Sequence, residues 1–531
     1  MGNIDLQPAD RVLRPGAFYK TSLSLSKYLF IQNTGRYFYY FCICYWGGIF
    51  SHLNLSVNKL EKFSWFLFIG VFVLFMVMFC IVRALWLFSG NLAYDMSLYF
   101  QAMFNTLKGH FLLMSTCCEA GPNLSYLAVH FSPIMTLVAP LYLIFPTAFV
   151  FPLLLVVLCG VAALPLKALA RNVLKNETLA NLIAVSYLTF IPTSSVMLWD
   201  FRTITFVIPL VLFAFYFLEM KKTICFIIFA ILAMMAKEEM FIIFALVGVF
   251  LWIFKKEKTL GAGLFLFGLA SAFIYAKILV PFLWKGTNYF WGTRYFGSDF
   301  SMTIILKRIF SFRSLQYLIF MFSPVVFTPF LSGGYLLIFI PVLIFTFLST
   351  NPMQANIYYH YSGSLIPLIF ITAVYGLDKF KPFSEKFLKF VFGWILVNVL
   401  ITNMFFGQHF LNSRDLLNPG KYFKDNFRPE RLTIFEAKKL VPADASILVG
   451  NEIGPWFAFR EKYYFCISNL EYSNKVDYIL IKLLPKYVAG LKKLAREGHW
   501  QVALFKNNFL LLKKSGAQPC FDLKYFQTLG L

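Results

Sequence analysis

Between residues 63 and 406 the chain is a succession of apolar runs set apart by short clusters of lysine and arginine. About 20 consecutive apolar residues carry an α-helix across the roughly 30 Å hydrocarbon core of a bilayer, so this pattern predicts a polytopic helical bundle. Of the 531 residues, 59% are hydrophobic and 14% charged, against roughly a quarter charged in soluble proteins. The formal charge of +23 invites a nucleic-acid reading, but the cations sit mainly between apolar runs. That placement follows the positive-inside rule and excludes nucleic acid as the expected partner. An aromatic share of 20%, dominated by Phe, fits lipid-facing surface better than base stacking.

Flanking charge sets the expected path. Residues 1–62 form a cytoplasmic tail with a short apolar interfacial segment at 37–50, and Lys59 and Lys62 place the start of the first span, 63–88, inside. With no early apolar core and cleavage site in 1–36, that span is expected to act as an uncleaved signal. Loop 89–147 then lies outside, with Lys108 its one lysine and no arginine. In it, 93–107 has the three-to-four spacing of an amphipathic helix on the membrane surface, and 133–145 is a half-buried element. Further spans are expected at 149–166, 179–198, 204–218, 224–236, 240–254, 260–284, 315–331, 335–348, 365–377 and 388–406, about eleven in all. Residues 63–406 are thus the transmembrane domain. From 407 to 531 the composition is that of a soluble α/β domain, placed outside the cell membrane. Short strands are expected near 446–449, 463–467, 478–483, 502–505 and 509–512, with helices near 430–440 and 485–497. The turn at 450–455 lacks the GxGxxG spacing of a dinucleotide site. Nine cysteines without a CxxC pair indicate neither zinc nor a disulfide framework, and the adjacent Cys117 and Cys118 are read as thiols.

The polar residues that stand at span ends are the candidates for chemistry. Asp95 follows the first span. It either caps the surface helix or, facing a cavity, deprotonates an acceptor hydroxyl; the expense of a carboxylate at membrane depth favours the second. Gln101 lies off that face and is expected on the surface. The spans flanking Lys237, Glu238 and Glu239 are short, which sinks these charges into a cavity where they meet a phosphate or a metal; a snorkelling lysine with its acid partner is the alternative. A metal here would be Mg²⁺ or Mn²⁺, taken by Asp95 with Glu238 or Glu239. Arg202 and Arg294 offer planar donors to a phosphate or pyrophosphate, Arg294 being equally suited to lipid headgroups. His130 and His360 could move a proton or simply hold structure. Tyr358, Tyr359 and Tyr361 form an interfacial belt or stack on a sugar.

An Asp just after the first span, a surface helix, an H-x-x-P sequence before the next apolar segment and many spans ahead of an external α/β domain resemble the GT-C glycosyltransferase superfamily. More closely, several stretches resemble the membrane family called domain of unknown function 2079. They are Tyr94-Asp95-Met96 through Gln101, Val129-His130-Phe131-Ser132-Pro133, Trp199-Asp200-Phe201-Arg202, Ala236-Lys237-Glu238-Glu239, Tyr358-Tyr359-His360-Tyr361-Ser362 and Val441-Pro442-Ala443-Asp444-Ala445-Ser446. The resemblance implies a polyprenyl-phosphate sugar donor, transfer on the outer face, and Asp95 as general base or metal contact. Two departures bear on this. Phe100 stands where a second acid commonly precedes the Gln, which weakens a two-carboxylate or metal site. Arg202 replaces a more usual His, exchanging a titratable group for a fixed cation. A transporter or flippase, or a catalytically silent scaffold, remains open, although no internal inverted repeat supports transport. The sugar, the acceptor and the oligomeric state are not legible.

Overall fold

The computed structural model describes residues 56–89, 95–115, 123–284, 301–407, 429–450, 453–466, 470–497 and 499–515, together with positions 418, 420, 421 and 424. The expected tail up to residue 55, Arg294, Cys117 and Cys118 lie outside the described residues.

Five helical stretches are long and apolar enough to cross a membrane: Val57–Leu87, Val150–Leu174, Glu177–Trp199, Lys258–Trp284 and Glu385–Phe406. The first shows why. Leu60, Phe68, Phe75, Phe79 and Val82 recur at helical spacing and are buried, while Phe63, Phe66, Val73, Leu74 and Val77 face outward, as a lipid-facing helix requires. The Glu177–Trp199 stretch is instead buried nearly all round, as is Leu365–Leu377, and these two form the centre of the bundle.

The remaining expected spans are shorter or broken. Ile204–Glu219, Thr223–Ala236, Glu239–Phe254 and Gly333–Leu348 are apolar helices of 10–17 residues. At 1.5 Å per residue, the 14 residues of Thr223–Ala236 rise about 21 Å. The span expected at 315–331 is not one helix: Phe312–Phe322 gives way to short 3₁₀ turns at Ser323–Val325 and Thr328–Leu331. Pro324 and Pro329 remove helix donors, and Val326 and Phe327 take positive φ.

Helix direction separates two ends. One end gathers Asp95, Trp199, Thr203, Lys237 and the 358–364 segment. At the other, Lys255 lies over the rings of Tyr335 and Tyr375, the Tyr375 hydroxyl donates to Glu219 (2.7 Å), and Lys381 donates to the Val173 carbonyl. Lys221, Lys222, Lys256 and Lys379 adjoin these groups in sequence.

The helix expected at 93–107 is present as Asp95–Leu107, but it does not lie on a lipid surface. Nine of its 13 residues are buried, because the bundle covers one side and the C-terminal region the other. That region holds a five-stranded sheet, β3 (Ile447–Gly450), β4 (Tyr463–Cys466), β5 (Tyr478–Lys482), β6 (Trp500–Lys506) and β7 (Phe509–Lys514), in the order β4-β3-β5-β7-β6. β3 pairs parallel to β4 and β5, and β7 pairs antiparallel to β5 and β6. A two-stranded hairpin, β1 (Leu113–Met114) with β2 (Leu124–Ser125), follows the Asp95–Leu107 helix.

Gln101, expected on the surface, is fully buried. Its amide donates to Ser115 Oγ (2.6 Å) and to the Glu461 carbonyl (2.9 Å), and its oxygen accepts from the Ser115 N–H (3.0 Å). Beside it Phe100 stacks on Phe459 (4.9 Å), which stacks in turn on Tyr142 (3.9 Å). Phe100 thus belongs to an aromatic seam between the bundle and the sheet region.

Candidate functional site

Five segments meet at the end of the bundle nearest the sheet region. Hydroxyls stitch three of them: Ser132 Oγ lies 2.8 Å from Thr203 Oγ1 and donates to the Ala236 carbonyl (3.3 Å). Pro192 opens the helix Ile191–Trp199, and Asp200 leaves it in extended conformation, which turns Arg202 toward the Asp95 helix. There Arg202 and Asp95 form an ion pair, with side chains 14% and 24% exposed. Both groups remain within reach of a ligand.

The second group lies alongside. Thr223–Ala236 ends because Lys237 takes extended backbone, and Glu238 then precedes the next helix. Lys237 Nζ is 3.0 Å from Glu238 Oε1, and His130 Nδ1 is 2.8 Å from the same oxygen and 2.6 Å from Lys237 Nζ. Glu238 Oε2 accepts the Phe131 N–H (3.0 Å). Burial would push the Glu238 carboxyl up, but Lys237 and His130 outweigh it and hold it well below the usual range. Burial and then Lys237 push His130 down, with Glu238 opposing. A neutral imidazole can accept from the lysine at Nδ1; the other tautomer donates from Nδ1 to the glutamate. Lys237 thus meets both Glu238 and His130.

The two groups are electrostatically in touch, since Arg202 acts on His130, and the rings of Tyr126 and His130 are 6.2 Å apart. Tyr126 also stacks near Tyr99 (4.6 Å) on the Asp95 helix. Glu239 hydrogen-bonds Ser364. His360 is buried and lies against Trp199 (6.1 Å) and Tyr361 (4.1 Å), and the Tyr361 hydroxyl accepts from Asn351 (3.3 Å). The structure thus brings Asp95, His130, Arg202, Lys237, Glu238 and Glu239 to one region, with His360 and Tyr361 reaching it through Trp199. Among the described residues, no three His, Cys, Asp or Glu side chains gather closely enough to hold a metal ion. Asp95 faces Arg202 and Glu238 faces Lys237, so two of the carboxylates expected to take Mg²⁺ or Mn²⁺ already face cations.

Two charged residues were missed as site groups. Arg83 sits fully buried in the first span and donates from Nη1 to the Leu198 carbonyl (2.8 Å); an arginine inside an apolar run was itself the available signal. Asp200, noted only within its motif, is fully buried. It accepts the Met96 N–H (3.1 Å) and its own neighbour's, Phe201 (2.8 Å). Burial pushes its carboxyl up to about 7, against the pull of Arg202 and Arg83.

The sequence matches the predicted membrane protein family DUF2079 over residues 84–511. The chain belongs to this family. No curated protein matches it. The matched stretch of this DUF2079 member contains Asp95, Asp200, Arg202 and the Lys237 cluster, and it runs on through all seven strands to Leu511 in β7. The match therefore takes in the sheet region and the bundle from the last turn of the first span onward.

Proposed function

We propose that this membrane protein is a GT-C-like glycosyltransferase that draws on a polyprenyl-phosphate sugar at the extracytoplasmic face. The observation that supports this best is the convergence of Asp95 and Arg202 with His130, Lys237 and Glu238 at the end of the bundle opposite the lysine-rich turns. By the positive-inside rule the lysine end is cytoplasmic, which puts the site and the C-terminal sheet region outside. On this reading the five long helices and the shorter apolar ones make about eleven crossings, the short ones ending in a polar site and not in water.

In the reaction, the acceptor hydroxyl loses its proton to Asp95 and forms a bond to the sugar C1. The bond from C1 to the phosphate oxygen breaks, and the polyprenyl phosphate departs with the negative charge, stabilised by Arg202 and Lys237. A lipid phosphate that takes the Arg202 guanidinium frees the Asp95 carboxylate for the acceptor hydroxyl, so that donor binding and exposure of the base are linked. His360 and Tyr361 line the approach by way of Trp199.

The test is transfer from radiolabelled polyprenyl-phosphate sugar in membranes containing the full chain. Asp95→Asn should lower transfer by about 10²-fold or more at unchanged expression. Undiminished transfer rejects Asp95 as the base, and movement of the donor between leaflets without covalent product supports a flippase in place of an enzyme.

A further inference from the structure

The first N–H groups of an α-helix have no partner within it. In the helix Asp95–Leu107 one of them, on Met96, is buried, and its acceptor comes from the far side of the site. Asp200 supplies Oδ2 at 3.1 Å, while Oδ1 accepts the N–H of Phe201 at 2.8 Å. One carboxylate therefore fastens the residue after Asp95 to the loop that carries Arg202. Arg83 completes the arrangement from a third element. Its guanidinium donates to the carbonyl of Leu198, two residues before Asp200, lies 3.9 Å from the Met96 sulfur, and acts on the Asp200 charge. Both residues are fully buried. Arg83 Nε has no acceptor, so the guanidinium is kept there although one donor goes unsatisfied, and the neighbouring buried carboxylate is what offsets that cost.

We infer that Asp200 and Arg83 are positioning residues that hold the helix carrying Asp95 against the loop carrying Arg202. Neither is a catalytic group: Asp200 spends both oxygens on backbone donors, and Arg83, inside the first span, donates to the Leu198 carbonyl and lies against the Met96 sulfur. The inference deepens the reading of Asp95 given above and takes its functional meaning from it, but its test needs no substrate.

The test is hydrogen–deuterium exchange on the full chain in lipid nanodiscs. Asp200→Ala removes the acceptor, and loss of a helix cap of this kind should speed exchange in peptides covering 95–101 about fivefold. Val150–Leu174 and Glu385–Phe406 should keep their slow exchange. Asp200→Asn keeps one acceptor oxygen for the Met96 N–H while giving up the bond from Phe201, and should recover most of the wild-type protection at 95–101. Should Asp200→Ala not fold, Arg83→Gln, whose shorter side chain removes both the guanidinium and its bond to the Leu198 carbonyl, should speed the same peptides. Unchanged exchange at 95–101 in the variants that fold overturns the inference. So does loss of slow exchange throughout the chain in both, which would make the pair general cement of the bundle. A failed transfer assay would leave these results standing, and a failed exchange test would leave Asp95 as the base.

Discussion

Replacing Asp200 by asparagine should flatten the pH dependence of stability. The Asp200 carboxyl lies beyond the end of the Glu177–Trp199 span, is fully buried, and is raised from 3.8 to about 7, first by burial, with Arg202 and Arg83 opposing and Asp95 reinforcing. A group whose folded-state value is raised binds its proton more tightly in the folded chain. Its neutral form is accommodated at acid pH, and stability is lost as pH rises from the unfolded value through about 7. The difference of about three units amounts to about 4 kcal/mol at most, of which roughly 2–3 kcal/mol falls between pH 5 and pH 8. Asparagine cannot ionise and still offers an oxygen to the Met96 N–H. Equilibrium unfolding in mixed micelles at pH 5, 6, 7 and 8 should therefore show the wild type losing about 2–3 kcal/mol relative to Asp200→Asn across that range. Parallel curves for the two proteins would mean that the carboxylate is solvated or paired well enough to stay ionised, and would refute the burial argument.

Two further outcomes concern the frame around the site. Gln101→Ala strands the Ser115 N–H in the seam, while the Glu461 carbonyl keeps its bond from Ser115 Oγ, at a cost of about 1–3 kcal/mol; limited proteolysis within 429–515 should accelerate about tenfold while the membrane helices stay protected. A Cβ at Gly376 would lie 1.9 Å from the Thr328 carbonyl oxygen, so Gly376→Ala must push the central helix Leu365–Leu377 from the Thr328–Leu331 turn. A loss of at least about 2 kcal/mol follows, to be seen as a lowered melting temperature, and an unchanged one would show that this contact is looser than described.

Much of the membrane architecture was written locally. Apolar runs with lysine at alternate ends mark where helices begin and turn, because each helix satisfies its own backbone and needs no distant partner. The five strands of the sheet region were legible as short runs rich in apolar and aromatic residues, although β3, β5 and β7 are buried on both faces and not on alternate residues. The failures came where a neighbour far along the chain decided the outcome. Residues 315–331 look like one span, yet two prolines and the packing of Gly376 on Thr328 break it. Gln101 looks exposed on a helical wheel, but residues 360 positions later cover it. The stretch 93–107 has an amphipathic face suited to lipid, and the second layer that buries its polar side arrives only with the C-terminal sheet.

The site divides in the same way. Asp95, Arg202 and the Lys237 cluster could be picked out singly, since a charge beside hydrocarbon is expensive wherever it stands. Which charge faces which could not: the pairing of Asp95 with Arg202, the sharing of His130 between Lys237 and Glu238, and the burial of Arg83 beside Asp200 join residues about 100 or more positions apart. Composition and local pattern committed this chain to a bilayer, because transfer energies add residue by residue. Only the folded bundle determined where its few charges meet, because electrostatic pairing depends on distances of a few ångströms that sequence spacing does not carry.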